Sequence, residues 1–219
     1  MLFKAENIVK HYGENLILKN ATLVVESGTC VSIMGESGSG KSTLLSILGL
    51  LQLPDAGVVE INGKTASSLS IQKLSCLRQK IGMAFQRTRV VSSLTVKENI
   101  LLPAILCGQV KYYQKRAMYL MEQLAISEVK DFYPYQLSLG QLRRVAVARA
   151  ALLQPPLILA DEPSNDLDAK NVDSVWQVFR EAKAAGSGIL VVTHDEKLAG
   201  CSDKMLVLVD GKLFPKQIA

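Results

Sequence analysis

The sequence predicts an α/β fold with a mainly parallel sheet, a small antiparallel β subdomain near its start, and an α-helical subdomain inserted into the core at about residues 88–145. Three observations predict it. Short apolar runs at Cys30–Met34, Leu157–Ala160, Ile189–Thr193 and Met205–Val209 alternate with helix-like segments. A short strand that is apolar on both faces belongs to a parallel sheet covered on both sides. Alternating runs over residues 2–10 and Ile17–Val25, and a hairpin over Val58–Lys64 turning at Asn62-Gly63, read as antiparallel strands, because Asn-Gly supplies the positive φ angles of a tight turn. The middle third instead places Tyr113, Arg116-Ala117, Leu120 and Leu124 at helical spacing with polar residues between them.

The elements follow in order. Cys30–Met34 leads through a Gly-rich loop into a helix over Ser42–Leu51, and Val172–Ala185 forms another helix after the strand Leu157–Ala160. Asp210-Gly211 turns the last strand. No repeat, low-complexity tract or Gly/Ser linker divides the chain, so residues 1–219 read as one domain.

Composition narrows the class. Hydrophobic residues at 48% and charged residues at 21% exclude a disordered or collagen-like chain. The longest uncharged stretch, Ser42–Pro54, is too short and too polar to span a bilayer, which takes about 20 apolar residues. Met1–Lys10 alternates charged and apolar groups and has no signal-peptide pattern. Cys30, Cys76, Cys107 and Cys201 lack CxxC spacing, so we expect four buried thiols in a reducing cytoplasm. The net charge of +5 is uneven: Ile61–Lys97 holds Lys64, Lys73, Arg78, Lys80, Arg87, Arg89 and Lys97 and no carboxylate. Such a run is either a solvated face or a surface meeting an acidic partner, phosphate or a membrane face.

Gly35-Glu36-Ser37-Gly38-Ser39-Gly40-Lys41-Ser42 fits G-x-x-x-x-G-K-[ST], with a strand before it and a helix after it. The chemistry needs that order. Backbone N–H groups wrap phosphates, glycines permit close approach, and a helix N-terminus faces the negative charge. Lys41 is expected to reach the β/γ-phosphates and the Ser42 hydroxyl to ligate Mg²⁺. Leu157-Ile158-Leu159-Ala160-Asp161-Glu162 delivers two carboxylates at the C-terminal edge of a buried strand, where ligands of such sheets sit. Asp161 is expected to hold Mg²⁺ and Glu162 to act as general base on the attacking water. His194, at the end of the strand Ile189–Thr193, reaches the same edge and is expected to contact the γ-phosphate. By residue type alone Gln86 is uninformative, and Tyr12 is either a base-stacking ring or a turn aromatic.

Leu137-Ser138-Leu139-Gly140-Gln141, followed by Leu142-Arg143-Arg144-Val145-Ala146-Val147-Ala148-Arg149-Ala150, resembles the signature loop and helix of ATP-binding cassette (ABC) ATPases. The motif order from Tyr12 to His194 also resembles that family, over Phe3–Leu213. The resemblance implies that Tyr12 stacks on adenine, that the loop and Thr43 bind ATP, and that Gln86 senses Mg²⁺ and couples to a membrane permease. It implies a homodimer sandwiching two ATPs, with Leu137–Gln141 acting in trans on the partner's γ-phosphate. The chain would then sit in the cytoplasm, peripheral on the inner face of the membrane through the permease. The stretch Leu94-Thr95-Val96-Lys97-Glu98-Asn99-Ile100 is most similar to the lipoprotein-release, macrolide-export and cell-division group.

Two departures from the family pattern carry expectations. Leu139 stands where the signature has its first Gly, and a Leu forced to positive φ costs about 1–2 kcal/mol. With such strain, Leu139→Gly is expected to raise ATPase activity or dimer formation; if Leu139 instead sits on the solvent side or meets the membrane partner, it costs nothing. Asp166 adds a charge where the family has small or uncharged residues, and that charge would weaken a closed dimer. The alternative function is a low-turnover ATP-dependent regulatory module. ABC proteins acting on nucleic acid or ribosomes carry two cassettes or a long coiled-coil insertion, and this sequence holds neither, so no nucleic-acid partner is expected. The signature excludes a small-molecule kinase.

Overall fold

The computed structural model describes residues 2–66, 69–85 and 89–216. Its centre is a six-stranded sheet. β3 (Cys30–Met34), β7 (Leu157–Asp161) and β8 (Gly188–Val192) are buried along their whole length. With β6 (Ile81–Ala84) and β9 (Lys204–Val209) they pair in parallel, and β10 (Lys212–Lys216) closes one edge antiparallel, in the order β10-β9-β3-β8-β7-β6. The apolar runs are buried because both faces are covered. Ile158, Ala160, Ile189 and Val191 face one core, while Leu157, Leu159, Leu190 and Val192 face the other. This is the period-2 alternation of a pleated strand.

The first core is helical. It packs α3 (Val96–Leu106), α4 (Val110–Gln123), α5 (Leu139–Ala151) and α6 (Ala169–Ala184) against that sheet face. α3 starts at a capping box, in which Thr95 and Glu98 satisfy each other's backbone N–H groups. Asn99, fully buried, donates to the carbonyls of Val91, Leu94 and Thr95 and so pins the preceding turn. α5 runs through position 145 to Ala151 without a break.

The second core joins α1 (Lys41–Leu48) and the other sheet face to a four-stranded antiparallel sheet. That sheet runs β2 (Asn15–Glu26), β1 (Leu2–Tyr12), β4 (Ala56–Ile61), β5 (Lys64–Thr65). Asn62 at φ 51° and Gly63 at φ 72° make the expected turn between β4 and β5. Asp210 at φ 46° and Gly211 at φ 75° do the same between β9 and β10. α2 (Ile71–Arg78) and the short α7 (Glu196–Ala199) are the remaining α-helices among the described residues.

The cysteine expectation is corrected. Only Cys30 is buried, its thiol pushed up to about 12 by desolvation, while Cys76, Cys107 and Cys201 are exposed. The latter three lie outside both cores, so apolar packing does not hide them.

Candidate active site

Because β3, β7 and β8 are parallel, their C-terminal ends meet on one edge. Three loops leave that edge together. The first runs Gly35–Gly40 into α1. Gly40 sits at φ 103°, a conformation glycine reaches without Cβ strain, and no side chain caps the helix. The first-turn N–H groups of α1 thus form an anion cradle. Lys41 Nζ donates to the carbonyls of Gly35 and Glu36, each at 2.7 Å, so the ammonium lies folded over the loop.

The second loop begins at Asp161. Ser42 Oγ donates to Asp161 Oδ2 at 2.8 Å. Burial pushes the Asp161 carboxyl up, with Glu162 adding to this and the Ser42 hydrogen bond, Lys41 and Arg143 opposing it. Glu162 follows at φ 49°. Its N–H donates to the Val192 carbonyl at 2.9 Å, and its Oε1 lies 3.0 Å from Nδ1 of His194. Glu162 Oε2 is buried and has no hydrogen-bond partner among the described residues. The third loop, after β8, carries His194, whose side chain is largely exposed.

These loops enclose a cleft of about 530 Å³. Gly35, Glu36, Ser37, Gly38, Gly40, Lys41, Ser42 and Thr43 form one wall; Asp161, Glu162, Asn165 and His194 form another, and Tyr12 and Ile17 stand at the rim. Ser39 is turned aside: it lines a neighbouring cleft, with its Oγ buried beneath Gly35. The half-exposed Tyr12 ring is tethered, its hydroxyl donating to Gln52 Oε1 at 2.9 Å while Gln52 Nε2 donates to the Thr43 carbonyl at 3.3 Å. Sequence reasoning missed Gln52 and Asn165, since an isolated amide carries no motif. Gln86 lies outside the described residues.

The signature residues Leu137–Gln141 do not line this cleft. Ser138 is the N-cap of α5: its Oγ accepts from Gln141 N–H, and Gln141 Oε1 accepts from Ser138 N–H. The strain expected at Leu139 is corrected. Leu139 is the first helical residue, is absent from the positive-φ residues, and is 65% exposed. A helix-start position asks for ordinary right-handed φ, so Leu is accommodated there. Nor is Asp166 an isolated charge: its carboxylate accepts from Arg143 Nη2 at 2.7 Å.

A phosphate loop on a parallel sheet, with a hydroxyl–carboxylate pair and a His–Glu pair at one edge, defines the class of a phosphate-loop nucleoside triphosphatase. The comparisons make this specific. Residues 18–165 match the family described as ABC transporter, and the chain belongs to that family as an ATP-binding, ATP-hydrolysing subunit. It is 40% identical over 212 residues to the lipoprotein-releasing system ATP-binding protein LolD of Bacteroides fragilis, covering 95% of this chain and 98% of that one. It is 39% identical over 211 residues to the macrolide export ATP-binding/permease protein MacB of Campylobacter jejuni, covering 95% of this chain but 33% of that protein. The dimeric post-hydrolysis structure of the ATP-binding cassette MJ0796 with ADP and Pi matches with TM-score 0.90 at 35% identity, over 99% of each chain.

Proposed function

We propose that this chain, as one nucleotide-binding domain over 1–219 with its inserted helices in 88–145, drives a separate membrane permease of the lipoprotein-release or macrolide-export type. Two copies would close around two ATPs. The observation that carries the reading is the convergence of Lys41, Ser42, Asp161, Glu162 and His194 on one cleft of about 530 Å³. Each residue then has a role. The Gly35–Thr43 segment binds the phosphates through its N–H groups, Lys41 swings from its carbonyls to the β/γ-phosphates, and Tyr12 stacks on adenine. Glu162 accepts a proton from the attacking water, with its unpartnered Oε2 as the available acceptor. His194, held by Glu162 Oε1, reaches the γ-phosphate. Ser138 and its loop neighbours contact the nucleotide held by the partner copy.

The residues fit Mg²⁺. Ser42 Oγ and the desolvated Asp161 carboxylate already meet at 2.8 Å, and hard oxygen donors with few protein ligands suit a cation that also takes phosphate oxygens. Ser42 and Asp161 would hold it, with Gln86 sensing it, and it would neutralise charge on the β- and γ-phosphates.

The permease would dock on a groove of about 320 Å³ lined by Ile81, Met83, Phe85, Pro103 and Leu153, with Arg78, Arg89 and Arg149 beside them. Two of these arginines belong to the basic run, so an acidic side chain on an apolar permease helix would complement it. Among the described residues no helix is long and apolar enough to cross a membrane; the chain would sit peripherally on the cytoplasmic face through the permease, as the likeness to the LolD and MacB proteins supports. The low-turnover regulatory alternative rested on strain at Leu139 and loses that support.

The test is Glu162→Gln, which keeps size and hydrogen bonding. Turnover of ATP should fall about 10²- to 10⁴-fold, the usual worth of a general base, while labelled ATP still binds and an ATP-bound dimer accumulates on gel filtration. Normal turnover would remove Glu162 from the role.

A further inference from the structure

α5 carries two adjacent arginines that bind different parts of the molecule. Arg144, buried, donates to the carbonyls of Leu124 and Ala125 at the end of α4 and to Asn171 Oδ1 on α6. Arg143 instead donates through Nη1 to the Glu162 carbonyl and through Nη2 to Asp166 Oδ2, both at 2.7 Å. Its side chain is 11% exposed. A planar guanidinium is suited to spanning two fixed acceptors at once, which a lysine ammonium does poorly.

The residue it holds is an unusual one. Glu162 lies at φ 49° and Asp166 at φ 60°, a region disfavoured for residues with a Cβ and kept only where surroundings impose it. Two groups impose it on Glu162 from outside its own turn: the Val192 carbonyl, which accepts its N–H, and Arg143, which donates to its carbonyl. The third contact, Asn165 N–H to the same carbonyl at 3.3 Å, is longer and lies within the turn. α5 also rests on this loop at Gly140, where an added Cβ would come within 3.0 Å of the Asp166 carbonyl oxygen.

We infer that Arg143 is a positioning residue for Glu162, locking the backbone that aims its carboxylate into the cleft to the helix that begins with Ser138. The inference rests on the reading of Glu162 as base. It gives α5 a duty inside its own chain, separate from the contact its N-terminus makes with the partner's nucleotide. Any movement of α5 relative to β8 then changes the direction in which Glu162 points, because the two backbone anchors of Glu162 belong to these two elements.

The experiment measures steady-state ATP hydrolysis by the full chain with Mg-ATP for Arg143→Gln, Arg143→Lys, Asp166→Asn and Glu162→Gln, with labelled-ATP binding and thermal melting for each. Arg143→Gln should lower kcat about tenfold or more, the scale of one lost charge-assisted hydrogen bond. KM and ATP affinity should stay within about twofold, since no phosphate-binding group is touched. Arg143→Lys should recover part of the loss, and Asp166→Asn should cost less than Arg143→Gln because the bond to the Glu162 carbonyl survives. A wild-type kcat in Arg143→Gln beside an inactive Glu162→Gln would overturn this inference alone. So would a loss of ATP affinity and melting temperature in proportion to kcat, which marks a merely structural ion pair. A fully active Glu162→Gln would overturn the base assignment and this inference with it.

Discussion

Two helices of this molecule begin in segments to which the proposed function gives nucleotide contacts, and they are built differently. α1 starts at Gly40, which has no side chain with which to cap the first-turn N–H groups. α5 starts at Ser138 with a complete capping box, in which Ser138 and Gln141 satisfy each other. An uncapped terminus is preorganised for an anion; a capped one is preorganised as a helix start and must exchange hydrogen bonds to take a ligand. The difference separates two tasks. On the proposed function, α1 would hold nucleotide in a single chain, whereas α5 would contribute where a second surface supplies the phosphate and offsets the loss of its cap.

The sharpest way to break the comparison lies on the α1 side. Lys41 is the loop's cation, and among the described residues its ammonium bonds the backbone carbonyls of Gly35 and Glu36. Lys41→Ala should weaken ATP binding about 100-fold, the upper range for a hydrogen bond to a charged group. Equilibrium binding of labelled ATP to the isolated chain measures it. Wild-type affinity would show that the α1 terminus alone suffices and that the lysine serves only the empty loop.

A smaller effect belongs to α5. Ser138→Ala removes the acceptor for Gln141 N–H and should destabilise the chain by about 1 kcal/mol, the usual cost of a lost N-cap. That corresponds to a fall of roughly 2–4 °C in Tm for a chain of this size. ATP affinity of the isolated chain should hold, because Ser138 does not line the cleft. The dimer trapped by Glu162→Gln should weaken. Loss of single-chain ATP binding would contradict the division of tasks between the two helices.

The same contrast explains what was legible in the sequence. The parallel strands and the phosphate loop were readable because their physics is local: burial on both faces leaves uniform apolar runs, and the loop's glycines stand where positive φ is needed. Asp161, Glu162 and His194 were readable because strand ends deliver side chains to one edge. α2 was not, since none of its residues is fully buried, only Leu74 and Leu77 rest on the second core, and Ile71 is 78% exposed, leaving a short and weak apolar face. β6 and β10 were missed as well: one is four residues long with Gly82 inside it, the other an exposed edge strand containing Pro215. α6 begins at Ala169 rather than at Val172 because Asp168 caps it, and its first turn is polar. Arg143 meets Glu162 and Gln52 meets Tyr12 across 19 and 40 positions of sequence, a meeting that no local pattern announces.

The smallest effect concerns Leu139, where the family pattern and the geometry disagree most. A glycine at this position of the signature suggests that a larger side chain is strained, and strain predicts that Leu139→Gly tightens the dimer. The conformation gives no such strain to relieve. Ser138 has extended cap angles, φ −68° and ψ 160°, and Leu139 follows as the first helical residue with its side chain 65% exposed. Glycine there would instead enlarge the unfolded ensemble, costing up to about 0.5–1 kcal/mol in a helix interior and less in a first turn. Leu139→Gly should therefore leave the affinity of the Glu162→Gln dimer unchanged or slightly weaker, with Tm lowered by no more than about 4 °C. Sedimentation of the Glu162→Gln chain in ATP, with and without Leu139→Gly, reads the result. A tighter dimer with glycine would mean that the Leu139 side chain obstructs the partner's surface on closure. The obstruction would then be steric and intermolecular, because the backbone of the single chain is already relaxed.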